Sequence, residues 1–346
     1  MLKDKLIIKV SFILFTTMIY VKVQRKKVED VKEKMFEMGN LEDNYKIIVD
    51  DKFGYIPIKK YVNGYEIVEF EGERRKKNMS PYEKIKELFP LKNYSLYLPQ
   101  KWEKYGDVLL IKLPDLLNPY KGIVGETYSK VLNVKTVINY KMVKGELREP
   151  EGEVIYGENS ETIHVENGIY YKFDALKIMF SSGNVDERIR MSKLNFVNNR
   201  IVDMFAGIGY FSLPIAKYSF PEKVIAIEKN PISFKYLLEN IRINNINNII
   251  PIFGDNRNIK IKDWADVVIM GYIHTKEFIP YAVNMLNKKG ILIYHDTFRR
   301  DEMKNFEKII ENLFGNYQFY IIRKHILKSY APSIYHVVLD IFIRKV

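Results

Sequence analysis

The stretch VDMFAGIGYF, residues 202–211, decides the fold of this chain. An apolar run ends in Asp203, a turn with two glycines follows, and a helical pattern begins. Gly207 and Gly209 allow the backbone to approach a ligand at places where a Cβ atom would collide with it. A dinucleotide fingerprint would have a third glycine where this chain has Ser212. The stretch therefore predicts a nucleotide site at the carboxyl end of a parallel strand, with an incomplete dinucleotide fingerprint.

Two acidic residues farther along the chain narrow the choice of ligand. Glu228 ends the apolar run VIAIE, while Asp255 ends the next run and is followed by Asn256. A carboxylate at the first place can accept both hydroxyls of a ribose, and an acceptor at the second suits the amino group of adenine. An acid at a strand end can also serve only as the cap of the next helix. Taken together, the pattern D-x-F-x-G-x-G, then Glu, then Asp, favours S-adenosylmethionine over a dinucleotide.

The pattern around this site predicts the fold class. From about residue 184 onward, apolar runs alternate with amphipathic helical stretches, which is typical of a parallel, doubly wound sheet. The chain closes with two neighbouring strand patterns, at 319–329 and 335–345, which would make the sheet mixed. We therefore expect an α/β fold of the class I S-adenosylmethionine Rossmann-like type, preceded by α+β domains.

The first half of the chain divides by composition and pattern. Residues 28–39 form an amphipathic helical pattern with Val28, Val31, Met35 and Met38 on one face. The pair Asn167-Gly168 separates two alternating runs and predicts a hairpin. The predicted segments are an extension at 1–17, a small α/β domain at 18–72, a basic linker at 73–86, an α+β domain at 87–183 and the Rossmann-like domain at 184–346.

Composition limits the classes of partner and site. The 346 residues contain 55 Lys and Arg against 43 Asp and Glu, a formal charge of +12, which favours a polyanion such as nucleic acid. The absence of cysteine excludes disulfides and thiolate metal sites, and the five scattered histidines predict no metal site. Residues 6–21 are apolar but short for a membrane span, so we expect a cytoplasmic protein without a membrane segment. No partner protein is implied, and we expect a monomer.

Three stretches together resemble a known family. They are ETIHVENGIYYKFDALKIMFSSGNVDERIRM, VDMFAGIGYFSLPIA and KSYAPSIYHVVLDI. They look like the archaeal and eukaryotic enzymes that modify the purine next to the anticodon of tRNA. One branch of that group is the guanine-N1 methyltransferase, and the other is the aminocarboxypropyltransferase of the wybutosine pathway.

Three departures from the methyltransferase pattern separate the two branches. The methyltransferases carry F-S-P-R where this chain has Phe180 followed by SSGN, and Asn-Leu-Pro or Asn-Pro-Pro where DVVIMGYIHT has MGY at 270–272. They also carry R-x-R-E where this chain has Pro150 in place of the second Arg. The resemblance thus implies transfer of the 3-amino-3-carboxypropyl group of S-adenosylmethionine to carbon-7 of 4-demethylwyosine in tRNA(Phe). Guanine-N1 methylation at position 37 and a non-catalytic tRNA-binding protein remain as alternatives.

The same resemblance implies roles for particular residues. The donor's methionine arm needs a cation for its carboxylate, and Arg188 is the candidate, unless it only forms a helix-surface ion pair with Asp186 or Glu187. Ser181 can bind the arm through its hydroxyl. The residues expected to bind S-adenosylmethionine are therefore Ser181, Arg188, Asp203, Phe205, Gly207, Gly209, Glu228, Asp255 and Asn256.

The acceptor base and the RNA involve further candidates. Tyr272 can stack on the flat base. The proton that leaves carbon-7 needs an acceptor, for which His274, Glu158 and His164 are all possible. The small domain at 18–72 would recognise the shape of the tRNA. Basic runs are candidates for phosphate contacts, although most such runs are solvated surface; they are Arg74, Arg75, Lys76 and Lys77, then Lys26 and Lys27, then Arg323, Lys324 and Lys328.

Overall fold

The fold was examined in a computed structural model that describes residues 17–75, 79–145 and 149–345. The chain separates between Ser80 and Pro81 into two compact units. Each unit has its own hydrophobic cluster, so each is described by itself.

The first unit is an antiparallel sheet covered by one helix. Its elements are β1 (Thr17–Gln24), a 3-10 turn (Arg25–Lys27), α1 (Val28–Glu37), β2 (Ile48–Val49), β3 (Phe53–Ile58) and β4 (Glu66–Glu71). The strands lie in the order β2-β3-β1-β4, with every pair antiparallel. Val28, Val31 and Met35 of α1 pack against Ile56 and neighbouring apolar residues of the sheet. The apolar stripe of α1 therefore builds the core of this unit.

The second unit begins with a smaller α+β region. Its elements are α2 (Pro81–Leu88), a 3-10 helix (Lys92–Tyr97), β5 (Trp102–Tyr105), β6 (Val108–Ile111), a 3-10 helix (Asp115–Tyr120), α3 (Lys121–Leu132), β7 (Thr136–Lys144), β8 (Glu149–Tyr156), β9 (Glu161–Glu166) and β10 (Ile169–Asp174). The first four of these strands form a sheet in the order β5-β6-β7-β8. The last two form a separate antiparallel hairpin.

A mixed sheet of seven strands dominates the rest of the described chain. Its elements are a 3-10 turn (Ser182–Asn184), α4 (Val185–Lys193), β11 (Arg200–Asp203), α5 (Ser212–Tyr218), β12 (Lys223–Glu228), α6 (Pro231–Ile243), β13 (Ile249–Phe253), β14 (Ala265–Met270), a 3-10 turn (Lys276–Phe278), α7 (Ile279–Met285), β15 (Leu286–Arg299), a 3-10 turn (Glu302–Asn305), α8 (Phe306–Phe314), β16 (Gln318–Ala331) and β17 (Ile334–Arg344). The strand order is β13-β12-β11-β14-β15-β17-β16.

The pairing within this sheet explains where a ligand can bind. Strands β11 to β15 are parallel, whereas β17 runs antiparallel to β15 and β16 antiparallel to β17. The order reverses beside β11, because β12 lies on one side of it and β14 on the other. Ligands of doubly wound sheets bind at the carboxyl ends of the strands at such a reversal. The predicted α/β fold with a mixed sheet is confirmed.

The hairpin of β9 and β10 is attached to helix α6. The side-chain oxygen of Asn240 accepts the N–H of Lys172 at 2.7 Å, and that of Asn244 accepts the N–H of Tyr170 at 2.9 Å. The predicted turn is confirmed, since Asn167 and Gly168 have φ angles of 48° and 72°, as a tight hairpin turn requires. This attachment brings the end of β9 close to α4.

Some local predictions differ from the structure. Met38 is 61% exposed, because α1 ends at Glu37 and the stripe does not extend past it. The apolar stretch YKIIVD, residues 45–50, forms only the two-residue strand Ile48–Val49. Residues 81–86 of the predicted basic linker lie in α2, where Ile85 is fully buried. In the described ranges, no helix has the length and apolar character needed to cross a membrane.

Candidate functional site

A cavity of about 920 Å³ lies at the reversal of strand order. Its walls come from the loops after β11, β12, β13 and β14, from segment 177–184, and from the hairpin of β16 and β17. The cavity is large enough for a nucleoside with a side arm and part of a second flat base. Residues from distant parts of the second unit therefore meet in one place.

The glycine loop, residues 204–211, is held by hydrogen bonds to the buried side chain of Asp203. The carboxylate accepts hydrogen bonds from the Ser212 hydroxyl at 2.6 Å and from the Phe205 N–H at 3.3 Å. Gly207 and Gly209 have φ angles of 56° and 99°, in the left-handed region that favours glycine. The loop can therefore turn closely around a ligand at the start of α5.

The structure corrects the predicted role of Asp203. The residue is fully buried and does not line the cavity, so it supports the loop instead of contacting the ligand. Burial raises the pKa of its carboxyl to about 6, against the hydrogen bond from Ser212, which lowers it. The position was recognised correctly in the sequence, but its side chain points to the interior.

Glu228 and Asp255 do reach the cavity wall, together with Asn256. Glu228 accepts the N–H groups of Gly207 and Asn230, each at 2.7 Å, and burial raises the pKa of this carboxyl. The Arg257 side chain holds both oxygens of Asp255, at 2.9 and 2.6 Å, and lowers the pKa of that carboxyl to about 2. Asp255 is thus fixed by a neighbour in the sequence, and Glu228 by a neighbour and by the glycine loop 21 positions before it.

Asn256 carries a polar atom that lacks a partner in the described chain. Its Nδ2 donates to the Met204 carbonyl at 2.8 Å, while its buried Oδ1 accepts no hydrogen bond from any described residue. A buried acceptor of this kind is costly unless a ligand satisfies it. We refer to Phe205, Gly207, Glu228, Asp255 and Asn256, which all line the cavity, as the strand-end residues.

The loop after β14 is shaped by packing and by Asp296. Gly271 lies against Phe211, where a Cβ atom would come within 2.6 Å of the ring. His274 has a left-handed φ of 60°, and its N–H donates to Asp296 at 3.0 Å. Tyr272 stacks on Phe205 with ring centroids 5.7 Å apart and lines the cavity. Residues 271–275 all line the cavity, and Tyr272 and His274 are the two ring side chains among them.

Segment 177–184 forms a further part of the wall. The hydroxyls of Tyr105 and Tyr210 hold it through the carbonyls of Phe180 and Met179, each at 2.6 Å. The Ser181 hydroxyl accepts a hydrogen bond from the Lys328 amine at 3.0 Å, which joins the segment to strand β16. We refer to Ser181, Asn184, Arg188, Lys328 and His336, all of which line the cavity, as the hairpin-side residues.

Arg188 has a different partner from the two that the sequence suggested. It is 3% exposed, and its Nε and Nη2 donate to the two oxygens of Glu166 at 2.5 and 2.7 Å. Its Nη1 donates to the Ser181 carbonyl at 3.0 Å, and the guanidinium lies 4.6 Å above the Phe180 ring. The surface pair with Asp186 or Glu187 was wrong, because the hairpin turn brings Glu166 to α4. Part of the predicted fork for a carboxylate is thus already used inside the protein.

A buried chain of polar groups leads away from the cavity at His336. Its Nε2 lies 3.2 Å from Nδ1 of His295, whose own Nε2 lies 3.6 Å from an oxygen of Glu187. Arg190 binds Glu187 with two bonds, at 2.9 and 2.6 Å, and Asp340 with two more, at 2.8 and 3.1 Å. Burial lowers the pKa of both histidines to about 3. The two imidazoles are therefore neutral at physiological pH.

The predicted proton acceptors are only partly brought together. His274 lines the cavity and is exposed. His164 instead packs between the rings of Tyr105 and Phe180, and Glu158 is exposed in the turn after β8, so neither lines the cavity. His336, Lys328 and Asn184 were not assigned to the site from the sequence. The signal for the first two was the motif KSYAPSIYHVVLDI, in which Lys328 was considered only for a phosphate contact and His336 was given no role.

The predicted RNA contacts are described only in part. Arg74 forms a bridge with Tyr45 in the first unit, and Arg75 donates its N–H to the Asn44 carbonyl. Lys76 and Lys77 lie outside the described residues. Lys328 faces the cavity, which differs from the surface role considered for it. Within the described ranges, His, Asp and Glu side chains form no group of three or more that could hold a metal ion.

Known protein families match most of the chain. The model of the TRM5/TYW2 methyltransferase domain matches residues 162–317, and that of the TYW2 N-terminal domain matches residues 86–160. The model of the tRNA methyltransferase 5 N-terminal domain matches residues 21–66. The three matches follow one another along the chain without overlap.

Individual proteins and solved structures that resemble this chain agree with these matches, and the two structures carry the same family names as these domains. The chain is 44% identical over 255 residues to the tRNA(Phe) (4-demethylwyosine(37)-C(7)) aminocarboxypropyltransferase of Pyrococcus horikoshii, covering 72% of this chain and 91% of that protein. The crystal structure of Trm5b from Pyrococcus abyssi is similar with a TM-score of 0.75 at 34% identity, covering 94% of this chain and 99% of that one. The structure of Pyrococcus horikoshii TYW2 in complex with MeSAdo has a TM-score of 0.68 at 42% identity, covering 77% of this chain and 100% of that one.

Proposed function

The chain belongs to the TRM5/TYW2 family, and we propose that it transfers the 3-amino-3-carboxypropyl group of S-adenosylmethionine to a tRNA base. The acceptor would be carbon-7 of 4-demethylwyosine at position 37 of tRNA(Phe), and methylthioadenosine would be released. The relative from Pyrococcus horikoshii that is named for this reaction shares 44% of the aligned residues.

The loop at 270–272 is the observation that carries the proposal. Met270 is fully buried, and Gly271 packs on Phe211, so Tyr272 is the side chain of this tripeptide that lines the cavity. Methylation of guanine N1 calls for an acceptor for the N1 hydrogen, and a phenol held in a stack with Phe205 is a poor substitute for an amide or a carboxylate. Attack by carbon leaves no such hydrogen to hold, and a ring that stacks on a flat base is suitable.

The strand-end residues fit the nucleoside of the donor. Gly207 lines the cavity with a left-handed φ angle, whereas Gly209 packs on Leu213 and Leu237. Glu228 has a fixed carboxylate for ribose hydroxyls. Asn256 has a buried oxygen that no described residue satisfies, which suits an adenine amino group. Phe205 provides an apolar ring in the same wall.

The hairpin-side residues fit the methionine arm. When bound, the sulfonium supplies three activated carbons, and the protein selects among them by aiming one at the nucleophile. Two cations, Arg188 and Lys328, both donate hydrogen bonds to Ser181 in this wall of the cavity. The buried Oδ1 of Asn184 accepts no hydrogen bond from the described chain. Cations suit the carboxylate of the arm, and an acceptor suits its amino group.

The first unit fits a role in tRNA binding. Arg74 and Arg75 are exposed there, and the unit matches a tRNA methyltransferase N-terminal domain. Lys76 and Lys77 extend the same run in the sequence. We propose that this run contacts phosphates and that the protein acts as a monomer in the cytoplasm.

Double labelling tests the proposal. The protein is incubated with precursor tRNA and with S-adenosylmethionine labelled either in the carboxyl carbon or in the methyl carbon. Carboxyl label on the tRNA, together with release of methylthioadenosine, is the expected result. Methyl label alone would overturn it.

A second candidate function is guanine-N1 methylation. It is favoured by the match to the tRNA methyltransferase 5 N-terminal domain and by the similarity to Trm5b over 94% of the chain. The same two labels separate it when unmodified tRNA is supplied as a second substrate, because that tRNA would then accept methyl label. A protein that binds tRNA tightly and transfers neither label would be a non-catalytic binder.

A further inference from the structure

The buried histidines His295 and His336 are given no role in the binding of the donor proposed above. His336 lines the cavity, whereas His295 lies behind it and is fully buried. Nε2 of His336 is the atom next to His295, at 3.2 Å, which leaves Nδ1 as the nitrogen that can serve the cavity. Nε2 of His295 is buried, and no described residue satisfies it with a hydrogen bond. A buried imidazole with an unsatisfied nitrogen calls for an explanation.

A buried carboxylate, Glu187, lies behind the two histidines on the side away from the cavity, where it can stabilise a transient positive charge on an imidazole. Glu187 and Asp340 share the guanidinium of Arg190, and Arg323, which faces Asp340 across β16 and β17, is a second cation for that carboxylate. Glu187 is 1% exposed, and its oxygen lies 3.6 Å from His295. A buried carboxylate stabilises an imidazolium next to it, whereas the Arg190 guanidinium opposes a positive charge on His295. Among the groups that face His336, Glu187 and Asp296 favour its charged form, whereas Lys328 and His295 oppose it.

We propose that Nδ1 of His336 accepts the proton that leaves carbon-7, and that His295 and Glu187 share the resulting charge. The inference rests on the proposed function. In that reaction carbon-7 forms a bond to the γ-carbon while the γ-carbon–sulfur bond breaks, and the sulfur keeps the electron pair. The carbon-7 hydrogen then leaves as a proton to Nδ1, and its bonding electrons return to the ring. As Nδ1 gains this proton, Nε2–H of His336 donates to Nδ1 of His295, and Nε2–H of His295 donates to Glu187.

The other polar groups in the cavity are less suitable acceptors. Glu228 and Asp255 already accept hydrogen bonds on both oxygens. His274 and Glu277 also line the cavity but are exposed, so water competes for them; the buried carboxylate of Asp296 accepts the main-chain N–H of His274. His336 is kept neutral by burial and retains a lone pair at physiological pH. A weak base suffices, because a ring carbon that carries both the new bond and the hydrogen is strongly acidic.

Histidine nitrogen resonances of the protein alone give the first test. The chain has five histidines, so replacing each in turn assigns the spectrum. The expected result is a coupling across the hydrogen bond between His295 Nδ1 and His336 Nε2, with both rings neutral down to about pH 5.5, a unit below the ordinary histidine pKa. Two uncoupled rings that titrate near the ordinary value would overturn the relay. This measurement does not depend on activity.

His336→Gln gives the second test, with His325→Gln on β16 as the matched control. We expect the loss of the carbon-7 hydrogen to solvent, which completes the modified base, to slow by about a hundredfold in a single turnover of His336→Gln, because a positioned base contributes at least that much. Proton removal then limits the rate, so tRNA deuterated at carbon-7 reacts more slowly than protiated tRNA in this variant. Calorimetric binding of methylthioadenosine is expected to match the wild type, as it is in the control.

The outcomes separate the inference from the proposed function. A wild-type rate in His336→Gln, or a slow rate without the deuterium effect, would remove His336 as the acceptor while carboxyl transfer by the wild type still stands. If His336→Gln does not fold, His295→Gln tests the relay with His336 in place. That variant is expected to transfer more slowly and to show the deuterium effect, and a wild-type rate without the effect would overturn the relay. Failure of the wild type to transfer carboxyl label would instead reject the proposed function.

Discussion

The strand-end residues and the hairpin-side residues line the same cavity but are held in different ways. Glu228 is fixed by the N–H of Asn230, two residues away, and Asp255 by Arg257, also two residues away. On the hairpin side, Ser181 is joined to Lys328 across 147 positions of the sequence. The first wall also has contacts over 21 and 52 positions, from Gly207 to Glu228 and from Asn256 to Met204, but these involve main-chain groups at the strand ends. The second wall is joined by side chains from distant elements.

The two walls differ in function: the first has features that many nucleoside sites share, and the second has the features that this particular transfer reaction needs. A loop that binds a nucleoside needs main-chain N–H groups and glycines, which a single strand, turn and helix can supply. Aiming one carbon of the donor at a base needs side chains whose positions are correct within a fraction of an ångström. Those side chains depend on buried ion pairs, such as Arg188 with Glu166 and Arg190 with Asp340. We therefore expect substitutions in the two walls to have different effects on stability and on ligand affinity.

Replacing Arg188 with Met should have the largest effect. Glu166 would keep its charge in a mostly buried place without its partner, and the Ser181 carbonyl would lose a donor. We expect the free energy of unfolding to fall by about 3–5 kcal/mol, the usual cost of removing one member of a buried ion pair. Chemical denaturation measures it.

The double variant Arg188→Met with Glu166→Gln is the control for that prediction. Removing both charges should restore much of the lost stability, because no unpaired charge remains. If the single and the double variant lose equal stability, the pair with Glu166 does not explain the effect. In that case the stacking of Arg188 on Phe180 would be the main contribution.

Asp203→Asn tests the strand-end side through pH. The folded state raises the pKa of Asp203 from 3.8 to about 6, so the folded protein binds this proton more tightly than the unfolded chain. Its contribution to stability is therefore complete below about pH 4 and is lost as the pH rises through about 6. Relative to Asp203→Asn, the wild type should lose about 3 kcal/mol between these values.

Denaturation curves of both proteins at several pH values check this prediction. The difference between the two proteins removes the titration of all other groups, provided that they behave alike in both. Parallel stability curves would mean that Asp203 has an ordinary pKa. The carboxylate would then be solvated through the cavity and could contact the ligand, as the sequence suggested.

The two sides also differ in how far the sequence predicts them. Glu228, Asp255 and the glycine turn were recognised because their spacing repeats with the strands, and the ends of parallel strands meet at one edge. The direction of Asp203 was missed, because an acid at a strand end can face either a ligand or the loop beneath it.

The hairpin side was predicted less completely, for a physical reason. The turn at Asn167-Gly168 was read correctly, but the partner of Arg188 became evident only in the structure, where α6 holds that hairpin near α4. His336 and His295 are 41 residues apart and meet only because β17 pairs with β15. No local pattern encodes such a meeting. The resemblance of KSYAPSIYHVVLDI to a family motif was the available signal.

Ser181→Ala should have the smallest effect and should act on the arm alone. The variant removes the hydroxyl that accepts a bond from Lys328 and leaves the strand-end residues unchanged. We expect S-adenosylmethionine to bind about fivefold more weakly, near 1 kcal/mol for one hydrogen bond, while methylthioadenosine, which lacks the arm, binds as in the wild type. Glu228→Gln is the paired variant and should weaken both ligands alike, because both contain the same ribose. Calorimetry with the two ligands measures the ratio of affinities. If Ser181→Ala weakened both ligands equally, the hairpin side would be supporting the whole cavity, and the division of labour between the two walls would be wrong.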